Sequence, residues 1–200
     1  MPGLLSWVVT VIRGSKLLKS YQNQLETVGL SGLGLRPVPH SSGNKFRGSE
    51  KCGKCHKKAF AVWELTPHAS ATDSLVNPVE RAEIQRHFGP ECLSCHVTGW
   101  NPQRFFPYTS GYLDLEKSLK LHGNGCENCH GPGSAHVDAE EGTTAADEST
   151  RQALRKAMRL PIAAAEKKCI ECHDLDNSPN FYDKDAFEHY WQDVEHKGLD

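Results

Sequence analysis

The chain has 200 residues, a formal net charge of -2, a hydrophobic content of 38% and a mean hydropathy of -0.56. This length allows one domain or two small ones, and the apolar content is low for a chain that must build its core from side chains alone. The weak negative charge excludes the strongly basic character that is typical of nucleic-acid-binding proteins.

The first 45 residues predict a helix and then a linker. Apolar residues recur at helical spacing between residues 16 and 28, and Gly29 ends the pattern. A stretch rich in Gly, Pro and Ser runs from there to Phe46, where we expect the second region, 46–200, to begin. The apolar run 4–12 is too short to span a bilayer, and its basic residues follow it, unlike those of a signal peptide. One interpretation is that 1–45 is the end of an upstream domain.

The remaining elements are mainly helical and short. Helices are predicted at 57–65, at 77–88 with Asn77 as N-cap, at 150–160 with Thr150 as cap, and at 183–197. Residues 97–113 are aromatic and rich in turns, and the acidic stretch 138–149 is typical of an exposed loop. We expect little or no sheet.

A Cys-x-x-Cys-His motif occurs four times, at 52–56, 92–96, 126–130 and 169–173, and uses all eight cysteines. This motif attaches a c-type haem, because its two thiols bond the porphyrin vinyl groups and the imidazole that follows reaches the iron. The predicted attachment residues are Cys52, Cys55, Cys92, Cys95, Cys126, Cys129, Cys169 and Cys172. The predicted proximal iron ligands are His56, His96, His130 and His173.

Zinc sites, disulfides and iron-sulfur clusters account for the cysteines less well. Paired Cys-x-x-Cys motifs can bind zinc, but a zinc site leaves the four histidines without a role. With 11 histidines in 200 residues, four such coincidences have a chance on the order of 1 in 100,000. The regular two-residue gap suits neither a disulfide framework nor an iron-sulfur cluster. We therefore predict four covalently bound haem c groups, which also supply the missing apolar core.

Four haems imply a fold and a compartment. The predicted fold is mainly α and irregular, a multihaem cytochrome c wrapped around four closely packed haems. Haem is attached to thiols outside the cytoplasmic membrane, so we expect a periplasmic or otherwise exported protein. With two propionates on each haem, the holoprotein carries a charge of roughly -10.

Seven histidines remain as second ligands for four irons, and Met is scarce, with only Met1 and Met158. His68 follows Pro67 on a turn that can present it to a neighbouring haem. His136 follows a Gly-Pro-Gly turn that leads the chain away from its own haem, so we expect it to serve a different one.

Three further histidines are also candidates for second ligands. His122 lies in a glycine-flanked loop, where a ligand and an ordinary loop residue are equally favoured. His189 and His196 share a helix face opposite Phe187 and Trp191. The last helix is therefore buried on both sides or ends before His196, and we prefer His196 as the ligand. His40 and His87 have the character of surface residues.

Three blocks resemble the cytochrome c-554 family of tetrahaem cytochromes. They are KCGKCHKKAFAVWELTPHASA, ECLSCHVTGW and GNGCENCHGPGSAH, in this order and followed by a fourth Cys-x-x-Cys-His motif. The resemblance covers roughly residues 49–197 and is loose at the fourth motif. It implies a mainly helical chain with haems packed in stacked pairs.

The resemblance also implies a ligand set. In it His68 ligates the haem of His130, His136 ligates the haem of His56, and a late histidine, matched by His196 or His189, serves the fourth haem. In the family the second haem can lack a distal histidine. Here His122 departs from the family pattern and can close that site.

The leading functional prediction is an electron carrier without catalytic residues. The resemblance implies an upstream donor oxidoreductase and a cytochrome or quinone-linked acceptor, and no nucleic-acid partner is expected. One alternative is a reductase of a small nitrogen or oxygen species at an open His96 haem, with His87 or His122 as proton donor. Another is an electron-delivering module of a longer enzyme.

Overall fold

This computed structural model describes residues 4–79 and 84–196, with side chains from residue 14 onward. The described part contains ten α-helices, one hairpin and two short 3₁₀ helices at Leu119–Leu121 and Pro179–Tyr182. The helices are α1 Leu4–Gly32, α2 Ser49–Gly53, α3 Lys57–Glu64, α4 Ala71–Val76, α5 Pro90–His96, α6 Cys126–His130, α7 Ser134–Glu140, α8 Glu148–Ala157, α9 Ile162–Cys169 and α10 Ala186–Val194. Strands β1 Trp100–Asn101 and β2 Phe106–Pro107 pair antiparallel, with Trp100 opposite Pro107. The prediction of a mainly α, irregular fold is confirmed.

The small apolar core lies around the hairpin and α5. It consists of Phe46, Leu75, Leu93, Val97, Trp100, Tyr112 and Leu121. The Trp100 indole N–H donates to the carbonyl of Tyr112 at 2.7 Å, so the one polar group of this large side chain is paired inside the core. This core is small for the chain, as the low apolar content predicts.

The predicted linker packs on the rest of the molecule. The N–H of Val38 donates to the Pro107 carbonyl at 3.2 Å, and the N–H of Thr109 donates to the Val38 carbonyl at 2.9 Å. Leu30 and Leu35 pack against the core. The predicted break at Gly29 is present, because this residue has φ 62° and ψ 171° inside α1.

The structure confirms one of the two predicted helices in the region 57–88 and contradicts the other. The 57–65 helix is α3, and His68 lies on the turn that follows it, as predicted. The 77–88 helix is wrong where the structure describes it, because Asn77 ends α4 and residues 84–88 are not helical, whereas 80–83 lie outside the described residues. Asn77 donates its side-chain amide to Asp73 at 2.7 Å, one turn back. It therefore closes a helix instead of opening one.

The C-terminal half contains two elements that the sequence analysis missed and one boundary that it left open. The prediction of Thr150 as the cap of the 150–160 helix is wrong, because α8 begins at Glu148. Its N-cap is Asp147, whose side chain accepts from the N–H of Thr150 at 2.7 Å. α7 extends into the stretch expected to be a loop, and α9 was not predicted. α10 ends at Val194. Of the two alternatives for the last helix, the one that ends before His196 is therefore confirmed.

No helix in the described part of the chain is long and apolar enough to cross a membrane.

Candidate haem sites

Each motif lies at or next to a short helix, which brings its thiols and imidazole to one side of a single turn. In the first motif the His56 N–H donates to the Cys52 carbonyl at 2.8 Å, and in the fourth the His173 N–H donates to the Cys169 carbonyl at 2.9 Å. Residues three and four apart on a helical turn are neighbours in space. The spacing of the motif thus presents two thiols and one imidazole together, as covalent haem attachment requires.

The motifs lie in two pairs, the first beside the third and the second beside the fourth. The Cys52 and Cys126 thiols share a hydrogen bond that lowers the pKa of Cys126 to about 7 and, together with burial, raises the pKa of Cys52. A hydrogen bond between Cys95 and Cys172 lowers the pKa of Cys95 and raises the pKa of Cys172 in the same way. Haem attachment points on different motifs are therefore adjacent, which fits porphyrins packed in pairs.

Three of the proximal imidazoles are held through Nδ1. His130 Nδ1 lies 2.7 Å from the Met158 carbonyl, and His96 Nδ1 lies 2.8 Å from the Ala71 carbonyl. His173 Nδ1 lies 3.0 Å from the Ser178 hydroxyl. Because a carbonyl can only accept, Nδ1 carries the proton in the first two, and Nε2 keeps its lone pair for a metal. This is the tautomer that an iron ligand needs.

Burial also keeps these rings neutral. It lowers the pKa values of His96, His130 and His173, and those of the distal candidates His68 and His136, below the ordinary histidine value. A neutral imidazole is the form that ligates a metal, whereas a protonated one is not. The electrostatics of the site therefore suit iron ligation.

Three proximal imidazoles each face a second imidazole. The ring centroids are 6.1 Å apart for His56 and His136, 5.8 Å for His130 and His196, and 6.0 Å for His68 and His173. An iron held about 2 Å from a nitrogen of each ring puts the two centroids about 6 Å apart. All three pairs therefore have the separation that a six-coordinate haem iron requires.

A cleft of about 590 Å³ adjoins two of these pairs. His68, His130 and His173 line it, together with the motif cysteines Cys129, Cys169 and Cys172. Its volume lies within the roughly 300–1,000 Å³ that cofactor sites occupy. The residues present thus fit haem in ligation, and this cleft has the scale of one bound cofactor.

The structure places two of the distal candidates beside other motif histidines than those that the resemblance implies. His136 lies opposite His56 as implied, but His68 lies beside His173 instead of His130, and the late histidine, His196, lies beside His130 instead of the fourth motif. Aromatic rings of the late segment also lie beside His173. Phe181 stacks on it at 4.8 Å, and Tyr190 lies 5.6 Å away.

The expectation that His122 closes the second site is not supported. Its Nε2 lies 2.9 Å from the Leu115 carbonyl, so this nitrogen carries a proton and is already used. The ring packs against Tyr112 at 5.7 Å. The described residues include all eleven histidines, and none of the ring contacts among them joins His96 to another imidazole.

In the described part of the chain, no ring contact joins the other three histidines to a motif imidazole, although His40 lines the cleft. His40 Nδ1 accepts from the N–H of Ser42 at 3.2 Å, and its ring packs on Phe46 and Tyr108. His189 is exposed on α10. His87 packs on Phe88 at 3.9 Å, and burial lowers its pKa.

A zinc site has no counterpart in the described residues, where no group of three or more His, Cys, Asp or Glu side chains converges as a metal site would require.

Sequence reasoning missed the polar side chains that hold the motifs together. The Thr72 hydroxyl donates to the His96 carbonyl at 2.7 Å and accepts from the N–H of Gly123 at 2.7 Å. Asn128, inside the third motif, donates to the Val97 carbonyl at 2.9 Å. Glu127 is buried in the same motif. Nothing in the local pattern distinguishes these residues from exposed polar ones, because their partners are far away along the chain.

Comparison with known proteins places the first three motifs in a family. Residues 51–131 match the model of the family described as cytochrome c554 and c-prime. The cytochrome c-554 of Nitrosomonas europaea is 32% identical over 147 residues, which are 67% of this chain and 60% of that protein. The chain thus spans about three fifths of the length of this relative. A solved structure of reduced cytochrome c554 from the same organism is 27% identical, with a TM-score of 0.46, over 69% of this chain and 66% of that one.

Proposed function

Because this chain belongs to the cytochrome c-554 family, we propose that it is an electron carrier, a tetrahaem c-type cytochrome that passes electrons between redox partners. Its eight cysteines attach four haem c groups. When bound, haem supplies a one-electron iron couple whose potential depends on its axial ligands and surroundings. The observation that carries the proposal is the presence of three imidazole pairs at 5.8–6.1 Å.

The residues that hold the irons have separate roles. His56, His96, His130 and His173 are the proximal ligands, and His136, His196 and His68 are the distal ligands of the first, third and fourth motifs. Two rigidly held imidazoles keep the same coordination in both oxidation states, so little rearrangement accompanies electron transfer. The carbonyls of Met158 and Ala71 hold the proximal rings in the required tautomer and make them more basic.

The arrangement of the motifs supports transfer within the molecule. Adjacent attachment cysteines, Cys52 with Cys126 and Cys95 with Cys172, bring haems of different motifs together. The cleft lined by residues of the third and fourth motifs connects the two pairs. This shared cleft supports haems of the two motif pairs that lie near each other. Thioether attachment also supports a location outside the cytoplasmic membrane, with redox proteins as donor and acceptor.

Electron paramagnetic resonance of the oxidised holoprotein, with haem quantified on the same sample, tests this proposal. We expect four haems per chain, of which three are low spin. Substituting His136, His68 or His196 with Ala should each convert one further haem to high spin without loss of covalent haem. His189→Ala, an exposed histidine on α10, is the matched control and should change nothing. If all low-spin signals persist in the three variants, these imidazoles do not ligate iron, and the proposal loses the observation that carries it.

A second candidate function is favoured by one observation, the lack of an imidazole opposite His96 among the described residues. An iron with a free axial position binds small molecules, so this site supports binding or reduction of a small nitrogen or oxygen species. Carbon monoxide titration of the reduced holoprotein tests it. Carbon monoxide bound to one haem in four would favour an open site. A lack of binding would leave electron transfer as the only function that is supported.

A further inference from the structure

Glu127, between the two cysteines of the third motif, is an unusual buried carboxylate. Only 2% of its surface is exposed, although an ionised carboxylate normally stays in water unless its oxygens are well satisfied. Burial raises the pKa of Glu127, and hydrogen bonds from Gly133, Gly48 and Arg47 oppose that increase. A side chain that is this costly to bury requires a structural reason at its position.

Backbone N–H groups from two separate segments satisfy the carboxylate. Oε1 accepts from the N–H of Gly133 at 2.7 Å and from that of Arg47 at 3.0 Å. Oε2 accepts from the N–H of Gly48 at 2.7 Å and from that of Arg47 at 2.8 Å. Bonds from peptide N–H groups to a carboxylate are stronger and more directional than bonds between neutral groups. Each oxygen thus fixes the position of the backbone that it faces.

The two segments lead directly to the two imidazoles of one pair. Gly48 is the N-cap of α2, which carries Cys52 and leads into His56. Gly133 is the N-cap of α7, on which His136 lies one turn further. The carboxylate therefore lies between the N-caps of the two helices that lead to His56 and His136. Glu127 itself belongs to the third motif.

We propose that Glu127 is a positioning residue that sets the separation and relative orientation of the His56 and His136 imidazoles, and so the coordination of the first haem. This inference rests on the proposed function, in which the two rings ligate one iron. Neighbouring contacts support the same geometry, since Arg47 pairs with Asp138 of α7 at 2.5 Å. Glu127 differs from that pair because it is buried and contacts both backbones directly.

Glu127→Gln in the holoprotein is the test. Glutamine has one acceptor oxygen, and its amide nitrogen brings a donor against the N–H of either Gly133 or Gly48. With the nitrogen toward Gly133 the α7 backbone loses its bond, and with the nitrogen toward Gly48 the 47–48 segment keeps only the longer bond from the Arg47 N–H, at 3.0 Å. We expect the low-spin signal that His136→Ala abolishes to shift in its g values, which respond to the angle between the imidazole planes, or to be lost into a high-spin signal. The other haems should keep their signals.

Glu116→Gln is the matched control, because it makes the same chemical change at an exposed residue, and it should leave every signal unchanged. If Glu127→Gln does not accumulate with four haems, Glu127→Asp replaces it. Aspartate keeps the charge but is one methylene too short to reach both backbones, so the same signal should shift.

The outcomes separate this inference from the function on which it rests. A folded, four-haem Glu127 variant with wild-type g values would overturn the positioning role while leaving the imidazole pair intact. A wild-type protein in which His136→Ala abolishes no low-spin signal would overturn the ligand assignment itself.

Discussion

Thr98 joins the segment after the second motif to the loop before the third, and its hydroxyl provides a measurable test of how the haem sites are held. The side chain is 1% exposed. Its hydroxyl donates to the Gly123 carbonyl at 2.9 Å and accepts from the N–H of Gly125 at 3.1 Å. Thr98→Val keeps the shape of the side chain but leaves both backbone groups unpaired in the interior.

The expected loss of stability follows from these two contacts. Each buried polar group left without a partner costs about 1–3 kcal/mol, so the two together predict a decrease of about 2–6 kcal/mol in the free energy of unfolding. Thr98→Ser is the control. It keeps the hydroxyl and removes one methyl group, which predicts a smaller loss of about 0.5–1.5 kcal/mol.

Guanidinium unfolding of the holoprotein, followed by circular dichroism in the far ultraviolet, measures the difference. Both variants should keep four covalent haems, because no cysteine changes. Equal slopes with a lower midpoint for Thr98→Val would show a change in stability alone. A Thr98→Val midpoint at or above that of Thr98→Ser would refute the argument that the hydroxyl holds the two motif segments together.

Two further predictions concern single residues. His122→Ala should keep the wild-type number of low-spin haems in electron paramagnetic resonance and lower stability only by about 0.5–1.5 kcal/mol, because it loses one bond to the Leu115 carbonyl; a new high-spin haem would show that His122 is a ligand after all. Gly99→Ala should lower the thermal midpoint strongly, since Gly99 has φ +86° and a Cβ there would lie 2.5 Å from Gly111 Cα. Gly14→Ala, in open space on α1, should raise the midpoint slightly, and a Gly99 variant as stable as this control would contradict the close approach.

The sequence by itself determined what is local. Two thiols and an imidazole within one helical turn predict the haem attachment sites and the proximal ligands, because the chemistry needs only five consecutive residues. The turn at His68, the helix α3 and the break at Gly29 follow from proline, periodicity and glycine in the same local way. His136 was matched to His56 through the resemblance, not through the residues alone.

Only the tertiary structure decided how distant segments meet. The rings of Phe181 and Tyr190 enclose His173, and His196 lies beside His130 instead. The Leu115 carbonyl accepts a hydrogen bond from the Nε2 of His122, a residue that the sequence offered as a candidate ligand. The sequence does not distinguish Glu127 from an exposed glutamate, and only the fold brings the Gly48 N–H to its carboxylate. These cases share one physical reason. The role of a side chain depends on its burial and on its partners in the folded chain, and the residues beside it in the sequence determine neither.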